Sequence, residues 1–357
     1  MKSPTLNNST KRYLEDKAKK IRPSCPKDRM MRFDLAEGLW EKSKIASLPD
    51  RTAIAVKAAV GKFLKVRPSQ ISVFAGADEV LEIIPRIYLN QKEPIVVITP
   101  VFDRVITTNT KVGARVLSFP LKESNNFKFR SEDLKSLRLQ VEKESPQIVW
   151  FCSPNNPTGQ VVDKEYIQKI ARGFPGVLVV VDEAYQEYFS LSPTKSSVSI
   201  VDKCNNLIVI RSFSKAFGLA GARIGYVVSN EHEISRFENY RTMFNVSTTA
   251  QDMAIESLSR VGLKRIKTSI KKVVLERERI ISEIKNMKNI KIIDGPQTNF
   301  LFLKHKTKDL FETLYSRGIV GSDWRTAPGV IGEGFVRISI NKPTINRRLI
   351  TILKGIN

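Results

Sequence analysis

The chain has 357 residues, 41% of them hydrophobic and 27% charged, an ordinary globular composition with length for one large domain and a smaller one. Its 59 basic and 36 acidic side chains leave a net charge of +23, and its two histidines, His232 and His305, argue against a histidine-built zinc site or a Ser–His triad. No apolar run reaches the roughly 18–20 residues that span a bilayer.

Residues 1–49 lack strong periodicity and are expected to form an N-terminal arm. Met1-Lys2-Ser3-Pro4 opens without the apolar stretch of a signal peptide, and Glu15 and Asp16 interrupt the basic residues that follow. Cys25, Cys152 and Cys204 are scattered, without metal-type spacing, which fits a reducing cytoplasm.

From Asp50 to Val228 short β-branched runs alternate with longer helical patterns. The predicted strands are Ile71–Ala75, Ile95–Thr99, Arg115–Phe119, Ile148–Cys152, Val177–Val181, Leu207–Arg211 and Arg223–Val228. Several are apolar throughout, as expected of strands covered on both faces by helices. Predicted helices between them include Ala77–Leu89, Ser131–Glu144 and Asp163–Phe174. The pattern predicts a large α/β domain over residues 50–245, built on a mostly parallel seven-stranded sheet.

Residues 246–357 read differently, as an interdomain helical region running to Met287 and then a small α+β domain. Its predicted elements are Lys291–Ile293, Phe300–Lys304, the helix Asp309–Arg317, the strand Phe335–Ile340 and a last helix from Thr344. The stretch Leu263–Met287 mixes Lys264, Arg265, Lys267, Lys271, Lys272, Arg277 and Arg279 with Glu276, Glu278 and Glu283. It reads as a solvated amphipathic helix, and no nucleic-acid motif accompanies the positive charge.

Ligands of open α/β sheets bind where strands end, and four motifs stand there. Gly76-Ala77-Asp78-Glu79 opens a helix after a strand, which offers free backbone N–H groups to an anion; the plain alternative is a strand-to-helix turn. Ser153-Pro154-Asn155-Asn156-Pro157-Thr158-Gly159 is a stiff loop whose Asn156 amide can donate to a phenolate-like oxygen, or simply a turn of turn-formers. Asp182-Glu183-Ala184-Tyr185 sets a carboxylate at the end of a buried strand, where it needs a partner or serves as a cap. Ser212-Phe213-Ser214-Lys215-Ala216-Phe217-Gly218 leads through a glycine-rich turn to Arg223, placing an amine among hydroxyls beside a guanidinium; alone, Lys215 reads as an exposed lysine on a short helix. Together they offer a phosphate cup (Gly76 to Asp78, Ser212, Ser214, Arg223), an acid for a pyridinium, donors for a phenolate and an amine for an aldehyde. Pyridoxal 5'-phosphate carries the four complementary features.

With these motifs the chain resembles the fold-type I, class I/II aminotransferases, and among them the histidinol-phosphate aminotransferase subfamily, from about Asp50 to the C-terminus. The resemblance implies that Lys215 forms the Schiff base and that Asp182 pairs with the pyridinium. Asn156 and Tyr185 would hold the phenolate oxygen. Gly76, Ala77, Asp78, Ser212, Ser214 and Arg223 would form the phosphate cup. Phe102 falls where the family usually has a ring-stacking tyrosine, and Arg337 matches the arginine that grips the substrate's carboxylate. The expected reaction moves an amino group from an amino acid or amino-alcohol phosphate to a 2-oxo acid. A decarboxylase resembling threonine-phosphate decarboxylase is the alternative, and a non-enzymatic nucleic-acid-binding protein the remotest. The resemblance also implies a homodimer. Departures concern the substrate: Ala36-Glu37-Gly38-Leu39 replaces an Asn-Glu-Asn-Pro run, Leu48 replaces a tyrosine, and Ser322 replaces an arginine for which Arg325 is the nearby substitute.

Overall fold

A computed structural model describes residues 5–12, 43, 45–324 and 334–357. The Ala36–Leu39 run, Cys25 and Arg325 lie outside the described residues. Seven strands form the larger sheet: β1 (Ile71–Phe74), β2 (Pro94–Thr99), β3 (Arg115–Pro120), β4 (Ile148–Cys152), β5 (Leu178–Asp182), β6 (Leu207–Ser212) and β7 (Gly225–Val228). Their spatial order is β1-β7-β6-β5-β4-β2-β3. The run from β6 to β3 is parallel, and only β7 reverses, pairing antiparallel with both β1 and β6.

The central strands are fully buried because alternate residues feed two separate cores. Val149, Phe151, Val179, Val181 and Val209 face one core; Ile148, Trp150, Leu178, Val180, Ile208 and Ile210 face the other, with Val80, Ile84 and Ile87 of the helix Ala77–Tyr88. That helix has Asp78 and Glu79 in its first turn and Arg86 in its last, matching its dipole. Residues 5–12 dock at its far end. The Asn7 amide donates to Leu89 O at 3.1 Å, and Thr10 Oγ1 donates to Arg86 O at 3.1 Å, satisfying carbonyls a helix terminus leaves open.

Three boundaries differ from the sequence expectation in ways that matter for the site. Asp182 and Ser212 are the last residues of their strands, held by ladder hydrogen bonds, rather than the first residues of loops. β7 begins at Gly225, not at Arg223, whose backbone is left-handed (φ 52°) and closes the short turn Ala220–Ala222. Lys215 sits in an irregular turn rather than on a short helix.

The second sheet is antiparallel, in the order β10-β11-β9-β8, with β8 (Ile290–Ile292), β9 (Phe300–His305), β10 (Ser322–Asp323) and β11 (Phe335–Ser339). It packs on the helices Arg260–Lys285 and Pro343–Ile356 through Ile280, Ile284, Leu301, Leu303, Val336 and Leu353. The long helix is less solvated than its composition suggests. Arg277 and Glu276 are buried, because Arg277 donates to Thr298 O at 3.0 Å and Glu276 accepts from Asn346 and Arg279. The two sheets are pinned to each other where Glu123 meets Lys291 and Lys304 (2.7 and 2.8 Å) and Phe127 packs on Phe302 and Phe335. No described helix is long and apolar enough to cross a membrane.

Candidate active site

Parallel strands all end at one rim of the sheet, and β7, running the other way, begins there. That rim gathers Gly76, Asn156, Asp182, Ser212 and Arg223 from five separate chain segments.

One end of the rim, where the sequence led to the expectation of an anion site, is built by close backbone approach. Gly76 has φ 85° and ψ 166°, a region essentially reserved for glycine, and any Cβ there would come within 2.7 Å of the Arg223 guanidinium. Gly225 serves the same turn from the other side: a Cβ on it would stand 2.7 Å from the backbone nitrogen of Ala77. Arg223 donates to Asp78 Oδ2 at 3.0 Å and to Ser214 Oγ at 3.5 Å, and Ser214 N donates to Ser212 Oγ at 3.0 Å. Glu79, read from sequence only as an acidic first turn, accepts from Asn245 and from Ala75 N, bracing the strand-to-helix turn from beneath.

The opposite end holds the carboxylate. Asp182 is 6% exposed, and its carboxylate accepts a hydrogen bond from Ala184 N at 3.0 Å. Burial lifts its pKa to about 6, against the pull of that N–H and of Lys215. The Ala184 contact is local to the turn and does not cap the helix Gln186–Phe189, whose N-cap residue is Tyr185. Among the described residues no cation is hydrogen-bonded to the carboxylate.

Between the two ends stand the amine of Lys215 and the groups of Tyr185, Asn156 and Phe102. Lys215 Nζ lies 5.3 Å from the centre of the Tyr185 ring. Burial and the nearby Arg337 charge hold the Lys215 amine below its ordinary pKa, and Asp182 only partly offsets them. Burial pushes the Tyr185 hydroxyl up, so it stays a donor. The Ser153–Gly159 loop is tied internally, with Asn155 Oδ1 accepting from Thr158 N and Oγ1 at 3.1 and 2.8 Å. Asn155 Nδ2 reaches Pro100 O at 2.9 Å and so fixes the turn that carries Phe102, which is half-buried at the start of the helix Asp103–Lys111. The Asn156 nitrogen donates to Cys152 Sγ at 3.4 Å, and the Asn156 side-chain oxygen accepts from Arg337 of β11.

Arg337 is the small sheet's contribution. Its guanidinium also stacks 5.1 Å from the Phe300 ring centre, and Phe300 meets Tyr185 edge-on at 5.0 Å. Ser322 pairs with Arg337 in the β10–β11 register, and both line a cleft of about 480 Å³ together with Arg348 and Asn341. Leu48 is exposed. Sequence reasoning missed Phe300, Asn155 and the buried group Glu183, Glu187 and Arg211. A charged Arg211 at the end of the apolar run Leu207-Ile208-Val209-Ile210 was the available signal, since a charge in a buried strand must be paired.

The model of the family described as "Aminotransferase class I and II" matches residues 12–353. The chain belongs to the class I and II aminotransferases. It is a pyridoxal-phosphate-dependent transaminase. The histidinol-phosphate aminotransferase of Thermoanaerobacter pseudethanolicus is 33% identical over 315 residues, covering 88% of this chain and 85% of that protein. The crystal structure of the histidinol-phosphate aminotransferase from Clostridium acetobutylicum superposes with a TM-score of 0.77 at 25% identity, over 87% of this chain and 91% of that one. A Sinorhizobium meliloti histidinol-phosphate aminotransferase, crystallised in complex with pyridoxal-5'-phosphate, shares the fold at a TM-score of 0.76 and 22% identity, covering 100% of this chain and 90% of that one.

Proposed function

We propose that this transaminase takes its amino group from an anionic donor of the histidinol-phosphate kind and passes it to a 2-oxo acid, with Lys215 as the residue that carries the cofactor and the proton. The observation that carries this reading is the placement of the Lys215 amine at one sheet rim, between a buried carboxylate and a glycine-built anion cup. The cofactor fits that rim on two independent grounds. Asp182 is a buried carboxyl, with no cation hydrogen-bonded to it among the described residues, which a protonated ring nitrogen would satisfy. Gly76 and Gly225 allow an approach that any Cβ would block, bringing the Arg223 guanidinium against the turn that opens the helix Ala77–Tyr88, where free N–H groups and a cation suit an anion.

When bound, pyridoxal phosphate supplies an aldehyde carbon and a conjugated cationic ring that draws electron density from the donor's Cα. The chain's own groups do the rest. The N–H groups of Ala77 and Asp78, the Ser212 and Ser214 hydroxyls and the Arg223 guanidinium hold the phosphate. Asp182 would keep the ring nitrogen protonated, Asn156 and Tyr185 would donate to the phenolate oxygen, and Phe102 would offer its face to the ring. Lys215 Nζ would take the proton from the donor's Cα and deliver it to the cofactor's former aldehyde carbon, on the far side of the nitrogen being transferred; its depressed pKa keeps a fraction of it neutral for that task. Arg337 binds the donor's anionic group and orients the bond to be broken.

A decarboxylase on the same scaffold has weaker support, since relatives at 33% identity are named as aminotransferases. Incubation of the cofactor-loaded protein with histidinol phosphate, aromatic, acidic and phosphorylated amino donors tests the reading. Amino transfer to 2-oxoglutarate without carbon dioxide is expected, and carbon dioxide release from the best donor would overturn it.

We further propose a cytoplasmic homodimer. Ile54 and Met253 are large, apolar and 68% and 39% exposed, and they lie on two helices that pack together, with Met253 also lining a surface cleft beside Leu219 and Ala222. Sedimentation showing an active monomer would refute the dimer.

A further inference from the structure

Behind the rim lies a group of buried charges that the reaction does not use. Arg211 NH1 donates to Glu183 Oε2 at 3.1 Å and Arg211 NH2 to Glu187 Oε1 at 2.6 Å, and all three side chains are at most 2% exposed. Ser196 donates to Glu183, and Ser197 N does so at 2.7 Å. Burial alone would lower the Arg211 pKa, but Glu187, Tyr226 and Glu183 hold it up; burial raises that of Glu187 despite Arg211. The positions of these residues in the chain are what matter. Glu183 follows Asp182, Glu187 lies two residues after Tyr185, and Arg211 precedes Ser212. One guanidinium therefore spans two segments: the end of β5 with its following turn, which carries the carboxylate and phenol, and the end of β6, which leads into the hydroxyls and Lys215.

We propose that Arg211 is a positioning residue that sets the spacing between the ring-nitrogen end and the phosphate end of the cofactor site. The proposal rests on the cofactor reading of the rim given above. Its physical basis is the two-armed geometry of guanidinium. Each arm takes a carboxylate from a different side of the same turn, so sliding β6 against β5 breaks both contacts at once in a medium where neither charge finds water. A ligand gripped at both ends feels such a slide; a ligand gripped at one end does not.

The test compares equilibrium binding of pyridoxal phosphate and of pyridoxal, which lacks the phosphate, by fluorescence titration of the apo protein. The dissociation constant for pyridoxal divided by that for pyridoxal phosphate measures how well both ends are used together. Arg211→Lys keeps the charge but loses the fork, and the ratio is expected to fall about tenfold or more, since small misplacements cost that much. Arg211→Met combined with Glu183→Gln and Glu187→Gln removes the buried charge altogether and guards against a variant that merely fails to fold. Its ratio is expected to fall as far while circular dichroism remains native. A native-like fold with an unchanged ratio in both variants would overturn the proposal. Failure of the unmodified protein to favour pyridoxal phosphate over pyridoxal would instead overturn the cofactor reading.

Discussion

Arg337 and Asn156 are joined by a hydrogen bond across the boundary between the two sheets, Arg337 coming from β11 and Asn156 from the loop after β4. The same guanidinium rests on Phe300, which touches Tyr185, so the group proposed for the donor's anion and the groups proposed for the cofactor's oxygen are mechanically one unit. Replacing Arg337 by Lys removes the fork and the flat stacking face together. The KM for an anionic donor is expected to rise about 10- to 100-fold, the equivalent of one charged hydrogen bond of about 1.5–3 kcal/mol, with a smaller change in kcat. Steady-state kinetics with a neutral and an anionic donor separate the two, and an equal loss for both would count against the assignment.

Lys215→Ala is expected to abolish transamination while leaving cofactor binding through the cup measurable. In the apo protein the Lys215 amine should titrate below the ordinary value of about 10.4. Burial is the larger cause and the Arg337 charge the second, so Arg337→Gln should move the midpoint upward, because removing a cation lets the amine keep its proton longer. The pH dependence of its reaction with a small acylating reagent reads the midpoint; a downward move would contradict the electrostatics.

Asp182 gives the apo protein an unusual pH profile. Its carboxyl holds a proton up to about pH 6 in the folded chain against an ordinary 3.8, so the folded state binds more protons than the unfolded one across that window. Stability is therefore full below about pH 4 and declines as pH rises to 6, by an amount on the order of 3 kcal/mol for this one group. Asp182→Asn should abolish the decline, and saturating cofactor should suppress it, because a ring cation rewards the ionised form. Urea melts of apo, loaded and Asp182→Asn protein at pH 4 and 6 check the sign.

Gly76→Ala places a methyl group 2.7 Å from the Arg223 guanidinium at a backbone angle of φ 85°. Strain of about 1–3 kcal/mol predicts a loss of pyridoxal phosphate affinity of about 5- to 150-fold. The Ala variant of Gly176, which has open space around its Cβ position, is the control and should bind as the parent does. Equal losses in both variants would show that the Gly76 turn does not hold the phosphate.

The fold was largely legible because its strands are apolar on both faces and its turns carry glycine, proline and asparagine. Ile148–Cys152 and Ser131–Glu144 have the boundaries the pattern predicts, and the seven strands occur where β-branched runs stand. The rim residues Asn156, Asp182, Lys215 and Arg223 could be picked out because polar groups at the ends of buried strands are conspicuous. Phe300 could not, since an aromatic residue inside Phe300-Leu301-Phe302-Leu303 looks like any core residue until its neighbours are known. Arg277 was misjudged as solvated for the converse reason. A helix rich in charge conceals the one arginine whose partner is a carbonyl from a distant loop. The contact between residues 5–12 and the far end of the helix Ala77–Tyr88 is likewise a tertiary fact, invisible to local periodicity.

The reversal of β7 has a practical consequence. The stretch 213–224 leaves the sheet at the end of β6 and re-enters it at the same rim as β7, so the amine, a hydroxyl and the arginine travel together on one excursion bounded by two ladder strands. Such an excursion behaves as an exchangeable cassette. Swapping it among relatives of the same architecture would alter the chemistry-bearing groups as a set while every strand keeps its hydrogen-bonded neighbours.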